Sequence, residues 1–139
     1  MSEQRMVNTV RSYSSGTPGR CLNNVGVHHF VVDNAAGPNE EITPADAFLA
    51  GISACSVLLV ETFAQQAAVP LQRAEATIEG TRLAGDPSRF ECINLHLELA
   101  GPTQAQAGEL VEQFKSRRPL YKTVAVATDV HIEVLAVAP

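Results

Sequence analysis

Thr43-Pro44-Ala45-Asp46-Ala47-Phe48-Leu49-Ala50-Gly51-Ile52-Ser53-Ala54-Cys55-Ser56-Val57-Leu58-Leu59-Val60 decides the fold. It opens as helices open. Thr43 can cap, Pro44 suits the first helical position, and Asp46 stands where a capping-box acid reaches back. From Ala47 to Val60 there is no charge and no polar face. A helix that is apolar all round is buried all round. The charge-free run is shorter than the about 20 residues that a bilayer span needs. The stretch therefore reads as the central helix of a core, running from about Pro44 to Ala68, with Val69-Pro70 closing it. In its middle, Gly51-Ile52-Ser53-Ala54-Cys55-Ser56 places small side chains around a single thiol.

Before this helix, Met6 to Ser15 alternates as a strand does, with Val7, Thr9, Arg11 and Tyr13 on one face. Gly16-Thr17-Pro18-Gly19 is a turn. Arg20 to Asn23 is a short second strand, Asn24-Val25-Gly26 turns again, and Val27 to Asp33 is a third. Gly37-Pro38 centres the loop from Asn34 to Glu41. After the helix, Leu71 to Leu83 reads as a strand with Ala74, Ala76 and Ile78 inward. Gly85-Asp86-Pro87-Ser88 turns it into Phe90–Leu99, whose apolar face is Ile93, Leu95, Leu97 and Leu99. Thr103 with Gln106 forms a capping box for a second helix, and Ala107, Leu110, Val111 and Phe114 are its apolar stripe. Lys115, Arg117 and Arg118 crowd its end, where the macrodipole favours cations. Pro119 stops it. A short segment, Leu120 to Ala127, precedes a last strand in which Val130, Ile132 and Val134 alternate with polar residues. Three strands, a buried helix, two strands, a helix and a strand make an α+β fold of antiparallel sheets around one long helix.

The totals agree. The 139 residues fit one domain, 1–139, and 45% apolar content argues for a packed core. A net charge of −5 with no basic stripe argues against nucleic acid as a partner. No signal peptide or membrane segment is read, and three cysteines at 21, 55 and 92 lack framework spacing. A reduced, cytoplasmic setting is expected. A helix without a polar face also needs more cover than one chain of this size supplies, so two copies are expected to pack their central helices as a homodimer.

For chemistry, Cys55 comes first. It is either a small buried hydrophobe or a nucleophile, and a nucleophile needs a cation beside it to ionise near neutral pH. His28-His29 on a strand point to opposite faces and cannot grip one ion together. No Cys-x-x-Cys pair, His-x-x-x-His pair or glycine-rich phosphate loop is present, so neither metal nor cofactor is expected.

The stretch from Pro44 to Cys55 resembles the helix signature of the OsmC/Ohr family, in which a Pro, an acid and a run of small and apolar residues lead to a reactive cysteine. Gly26–Asp33 with Gly37-Pro38 resembles that family's third strand and loop. Glu79-Gly80 and Phe90–Leu97 resemble its middle strands, and Glu109-Leu110-Val111 through Arg118-Pro119 its second helix and the following turn. The match runs in order over roughly residues 7 to 135.

The resemblance implies an intertwined α+β homodimer with sites at the subunit interface. It also implies a thiol-dependent peroxide reductase acting on organic hydroperoxides in oxidative-stress defence, with a peroxide substrate and a thiol reductant as partners. It assigns Cys55 as the peroxide-attacking cysteine, Arg20 as the activating arginine and Asp46 as the acid at the helix start. Otherwise, Arg20 is a solvated turn residue and Asp46 a helix cap. The family's resolving cysteine precedes a proline after the second helix, and here that position is Arg118. Arg118 is thus either a second cation for Cys55 or a helix-end charge in water. Three readings follow. An external thiol resolves a one-cysteine enzyme; Cys21, less so Cys92, resolves instead; or the chain has lost the chemistry and binds a small apolar ligand or a partner at the interface pocket.

Overall fold

The computed structural model describes residues 3–139. The chain forms two compact units, an N-terminal one ending at Phe48 and a C-terminal one, Leu49–Pro139.

The N-terminal unit is a meander. β1 (Arg11–Ser14), β2 (Arg20–Val25) and β3 (His28–Asp33) pair antiparallel in that order. β1 is shorter than its alternation suggests. Its register sets Arg11 opposite Asn24, and β2 ends at Val25. Only Val25 is left to face Val10 and nothing of β2 to face Met6–Thr9, and Met6 and Val7 stand exposed. Gly19, at φ +84°, and Gly37 approach so closely that a Cβ on Gly19 would sit 3.0 Å from the Gly37 Cα. The contact lets the Gly19 carbonyl accept from Asn34 N at 2.8 Å, which ties the β2 start to the loop after β3.

Helix α1 (Pro44–Gln66) begins as expected. Asp46 N donates to Thr43 Oγ1 at 3.2 Å, and Thr43 N donates to Asp46 Oδ2 at 3.0 Å, a capping box. The helix stops two residues before the expected Ala68, which itself adopts φ +53°. With its full length counted, α1 is long and apolar enough to cross a bilayer by length and composition alone. The charge-free run had suggested otherwise, because it omits the turns beyond Glu61. Burial on every side is also not what the chain provides. Ile52, Ser56, Leu59, Val60, Phe63 and Ala64 are buried, while Leu58 is 62% exposed and Gly51 and Ala54 beside it are exposed. The elements of one chain cover one face only.

In the C-terminal unit, β4 (Arg73–Thr81), β5 (Cys92–Ala100) and β6 (Asp129–Val137) form a sheet in that order. β4 and β5 pair antiparallel, with Ala76 opposite Leu97. β6 runs parallel to β5, with Leu97 opposite Val134. That departs from an all-antiparallel sheet. A helical crossover joins β5 to β6, and a crossover returns the chain in the same direction. The crossover is α2 (Gln104–Arg117) and α3 (Pro119–Ala127). α2 has both halves of the Thr103–Gln106 capping box and buries Ala107, Leu110, Val111 and Phe114. These pack with Leu59, Val60, Phe63 and Ala64 of α1 and with Leu95, Leu97 and Leu99 of β5 into one core.

The segment after Pro119 is a helix, which its sequence did not announce. α3 has no fully buried residue, so it carries little of the periodicity that reveals a helix. Pro119 ends α2 and also begins α3, because proline suits the first helical position. Its ring pushes the residue before it out of the helical region. Arg118 is accordingly extended, at φ −121° and ψ 135°, between the two helices.

Candidate active site

Cys55 lies mid-helix on α1, half-buried, and packs against the core that holds Phe63, Leu110 and Phe114. Far from either helix end, it gains little from the macrodipole. Burial pushes its thiol up from the ordinary value, and the positive charge of Arg118 pulls it down by less. The cation that a nucleophilic thiol needs is thus outweighed by burial in this environment. Desolvation penalises the anion more than one guanidinium rewards it. Arg118, half-buried, is the cation whose charge opposes that rise.

Its placement follows from the extended residue before Pro119. The guanidinium turns inward, with Cζ 5.8 Å from the centroid of the Phe63 ring. Arg117 approaches the same ring at 6.0 Å. Phe63, two helical turns beyond Cys55, is therefore a cation–π platform for two arginines. Sequence reading missed that role, since a Phe in an apolar helix signals only core. The Nε of Arg118 is buried and has no hydrogen-bond partner.

Arg20 and Asp46 lie in the N-terminal unit, and each is engaged locally. Arg20 is not a solvated turn residue. Its Nε and Nη2 donate to the two carboxylate oxygens of Asp33 at 2.8 Å each, and Nη2 also donates to Glu40 at 3.2 Å. Asp33 is 1% exposed and also accepts from Glu40 N and Glu41 N at 3.1 Å. The Arg20 hydrogen bond, followed by these two N–H donors, holds the Asp33 carboxyl down at about 2 against the cost of its burial. Asp33 raises the Arg20 guanidinium above its already high ordinary value in return, with help from Glu40. Asp33 went unremarked in the sequence. Its only signal was an acid ending the apolar run Phe30-Val31-Val32. The Asp46 carboxylate accepts from Thr43 Oγ1 at 2.8 Å and from Thr43 N, which keeps it below the usual carboxylate range.

All three cysteines are free thiols. Cys21, on β2 beside Arg20, borders an open cleft of the meander that Gly19, Val32, Asp33 and Pro44 also line. Cys92 lies on the outer face of β5, where Asn94 Nδ2 approaches its sulfur at 3.9 Å. Among the described residues, no three His, Cys, Asp or Glu side chains group as a metal site would require.

A thiol set mid-helix in an α+β fold, with an arginine held over a phenylalanine two turns further on, makes up the candidate site. The model of the OsmC-like protein family matches residues 37–133, from the loop after β3 to within β6. The chain belongs to that family. Compared by sequence with curated proteins, it matches none. Among solved structures, an OsmC-like protein from Mycoplasma pneumoniae superposes with a TM-score of 0.84 at 17% identity, covering 96% of this chain and 99% of that one. An organic hydroperoxide resistance protein, OsmC, from Legionella pneumophila superposes at 0.73 and 20%, covering 95% and 98%. The organic hydroperoxide resistance protein OhrB of Bacillus subtilis superposes at 0.68 and 20%, covering 94% and 98%. These likenesses share the α+β fold, two small sheets with helices, across both units of the chain.

Proposed function

We propose that this chain is a thiol-dependent peroxide reductase acting on organic hydroperoxides, with Cys55 as the attacking sulfur. The observation that carries the reading is a half-buried thiol mid-helix, packed on the core whose Phe63 holds Arg118, in a family whose structural relatives include organic hydroperoxide resistance proteins. Arg118 stands where a resolving cysteine is expected, so an external small thiol completes the cycle and Cys55 works alone. Cys55 attacks as the thiolate, and Arg118 offsets part of the desolvation that opposes ionisation. Arg20 and Asp46 act as positioning residues: Arg20 ties β2 to β3 through Asp33, and Asp46 fixes the start of the helix that bears the thiol.

The working form in this reading is a homodimer in the cytoplasm. The uncovered face of α1, with Leu58 exposed beside Gly51 and Ala54, supports a second copy packing there. Small residues let two helices approach closely, and an exposed leucine gains by burial. Three unpaired thiols suit a reducing compartment.

The test is consumption of cumene hydroperoxide with dithiothreitol as reductant. The wild type consumes it, and Cys55→Ser does not. Equal rates for the two proteins would overturn the assignment. One feature favours a second reading, in which the site binds a small apolar ligand without redox chemistry: burial pushes the Cys55 thiol up, against ionisation. A wild type that consumes no peroxide with any thiol, yet binds an apolar probe that Leu58→Asp displaces, would select it.

A further inference from the structure

Gln104 is the first residue of α2, and its side chain leaves the helix to lie along β6. Its Nε2 donates to Val134 O at 2.8 Å, and its Oε1 accepts from Ala136 N at 2.8 Å. A side-chain amide offers a donor and an acceptor side by side, as a residue of a neighbouring strand does. β6 is an edge: the sheet order is β4-β5-β6, and β6 pairs only with β5. Val134 and Ala136, two residues apart, turn these backbone groups away from β5, and Gln104 fills the place of a next strand there. The two halves of β6 meet solvent differently. Asp129, His131 and Glu133 put a polar side chain at every second position of the first half. Val134-Leu135-Ala136-Val137 has none, and Leu135 is 45% exposed. β4, the opposite edge, carries Arg73, Glu75 and Glu79, all exposed. An open, uncharged strand edge is a template for another strand, and charges along an edge oppose that. The Gln104 amide thus lies on the part of the sheet's edges that charge leaves unprotected.

We propose that Gln104 closes this half of the β6 edge against the same edge of a second copy of the chain, in a contact distinct from the α1 packing of the proposed dimer. The two groups it holds are the ones such a contact needs. Two β6 strands laid antiparallel, with Val134 facing Ala136, would join Val134 O to Ala136 N across the boundary. That register sets Leu135 against Leu135 and Glu133 against Val137, so no like charges face each other. With the amide in place both groups are taken, and a second strand finds neither donor nor acceptor there. The two hydrogen bonds are exposed, so their net contribution to folding is modest. Their loss acts on assembly more than on stability.

Sedimentation velocity from micromolar to submillimolar concentration tests this, with thermal melting to verify that each variant is folded. Gln104→Met keeps the length of the side chain and its helix preference and removes both hydrogen bonds. Gln106→Met breaks the capping box at the same helix start and leaves the edge covered. The wild type and Gln106→Met are expected to show nothing heavier than a dimer. Gln104→Met is expected to form heavier species whose share grows with concentration. Adding Ala136→Pro to it removes the edge N–H, a change that outer strands tolerate, and is expected to abolish those species. A Gln104→Met protein that sediments like the wild type overturns the inference. Heavier species to the same extent in Gln106→Met, or in the double variant, overturn it too, because they trace the assembly to a loosened helix or to another surface. Hydrogen exchange in the wild type needs no variant. The Ala136 amide is expected to exchange about tenfold slower than an unpaired amide, as one hydrogen bond implies, and exchange at the unpaired rate overturns the inference.

Discussion

Arg20 and Asp33 face each other across the first residue of β2 and the last of β3, joined by two parallel hydrogen bonds of 2.8 Å. The arginine stem is a quarter exposed, while the aspartate is sealed from solvent. An ionised carboxylate without water needs all its lone pairs used, and Glu40 N and Glu41 N supply the remaining donors. The loop after β3 is thus wrapped onto the meander by charge rather than by apolar burial.

Acid unfolding is the first consequence. Because the Asp33 carboxyl is held at about 2 against an ordinary 3.8, its pairing stabilises the fold above pH 4 and fades as pH falls toward 2. Thermal melting between pH 7 and pH 2 is expected to show this loss in the wild type. Asp33→Asn is expected to melt on the order of 5 °C lower at pH 7, since it strands Arg20 without its charged partner. It should be flatter than the wild type across the acid window. Parallel curves for the two proteins would contradict the account.

The pH dependence of Cys55 alkylation has a definite sign. Burial raises the thiol, so the rate with iodoacetamide is expected to climb with a midpoint above that of an ordinary free thiol, about 8.5. Arg118→Met removes the opposing cation, moves the midpoint further up and slows alkylation at pH 7. A variant that alkylates faster than the wild type would show that Arg118 shields the sulfur rather than charging its surroundings.

The proposed cycle draws on no second cysteine of this chain. Cys21→Ser combined with Cys92→Ser is expected to keep most of the wild-type hydroperoxide consumption with dithiothreitol. Loss of turnover, together with a peroxide-induced Cys21–Cys55 disulfide in the wild type, would make Cys21 the resolver.

The uncovered face of α1 predicts assembly. Light scattering at micromolar concentration is expected to give a dimeric mass for the wild type and a monomeric mass for Leu58→Asp, which would place a charge in the helix contact. A monomeric wild type would remove the second copy from the proposal.

Gly101 fixes the corner between β5 and α2. It holds φ +111°, and a Cβ there would run into the Pro70 carbonyl. Gly101→Ala is expected to cost more than about 1 kcal/mol in denaturant unfolding, as an added side chain does at positive φ. The oxidation chemistry of Cys55 should be unchanged in the molecules that remain folded.

Much of this architecture could be read from patterns within single segments. The capping pair Thr43–Asp46, the alternation of β4 and β5, and the stripe Ala107–Leu110–Val111–Phe114 each depend on neighbours a few residues away. They appear in the structure essentially where their spacing put them. β1 and α3 were harder, because pairing length and exposure, rather than local pattern, set their limits.

The sequence by itself determined that a single thiol sits among small residues in the middle of an apolar helix, and that an arginine stands before the proline after α2. Only the tertiary structure decided what surrounds them: Asp33 closing on Arg20, Phe63 carrying two arginines, one face of α1 left bare, and a buried Nε–H without an acceptor. The physical reason is range. Caps and periodic faces arise from contacts a turn or a residue apart, whereas the charge state of a sulfur depends on burial and on a guanidinium some sixty positions along the chain, which packing alone brings near.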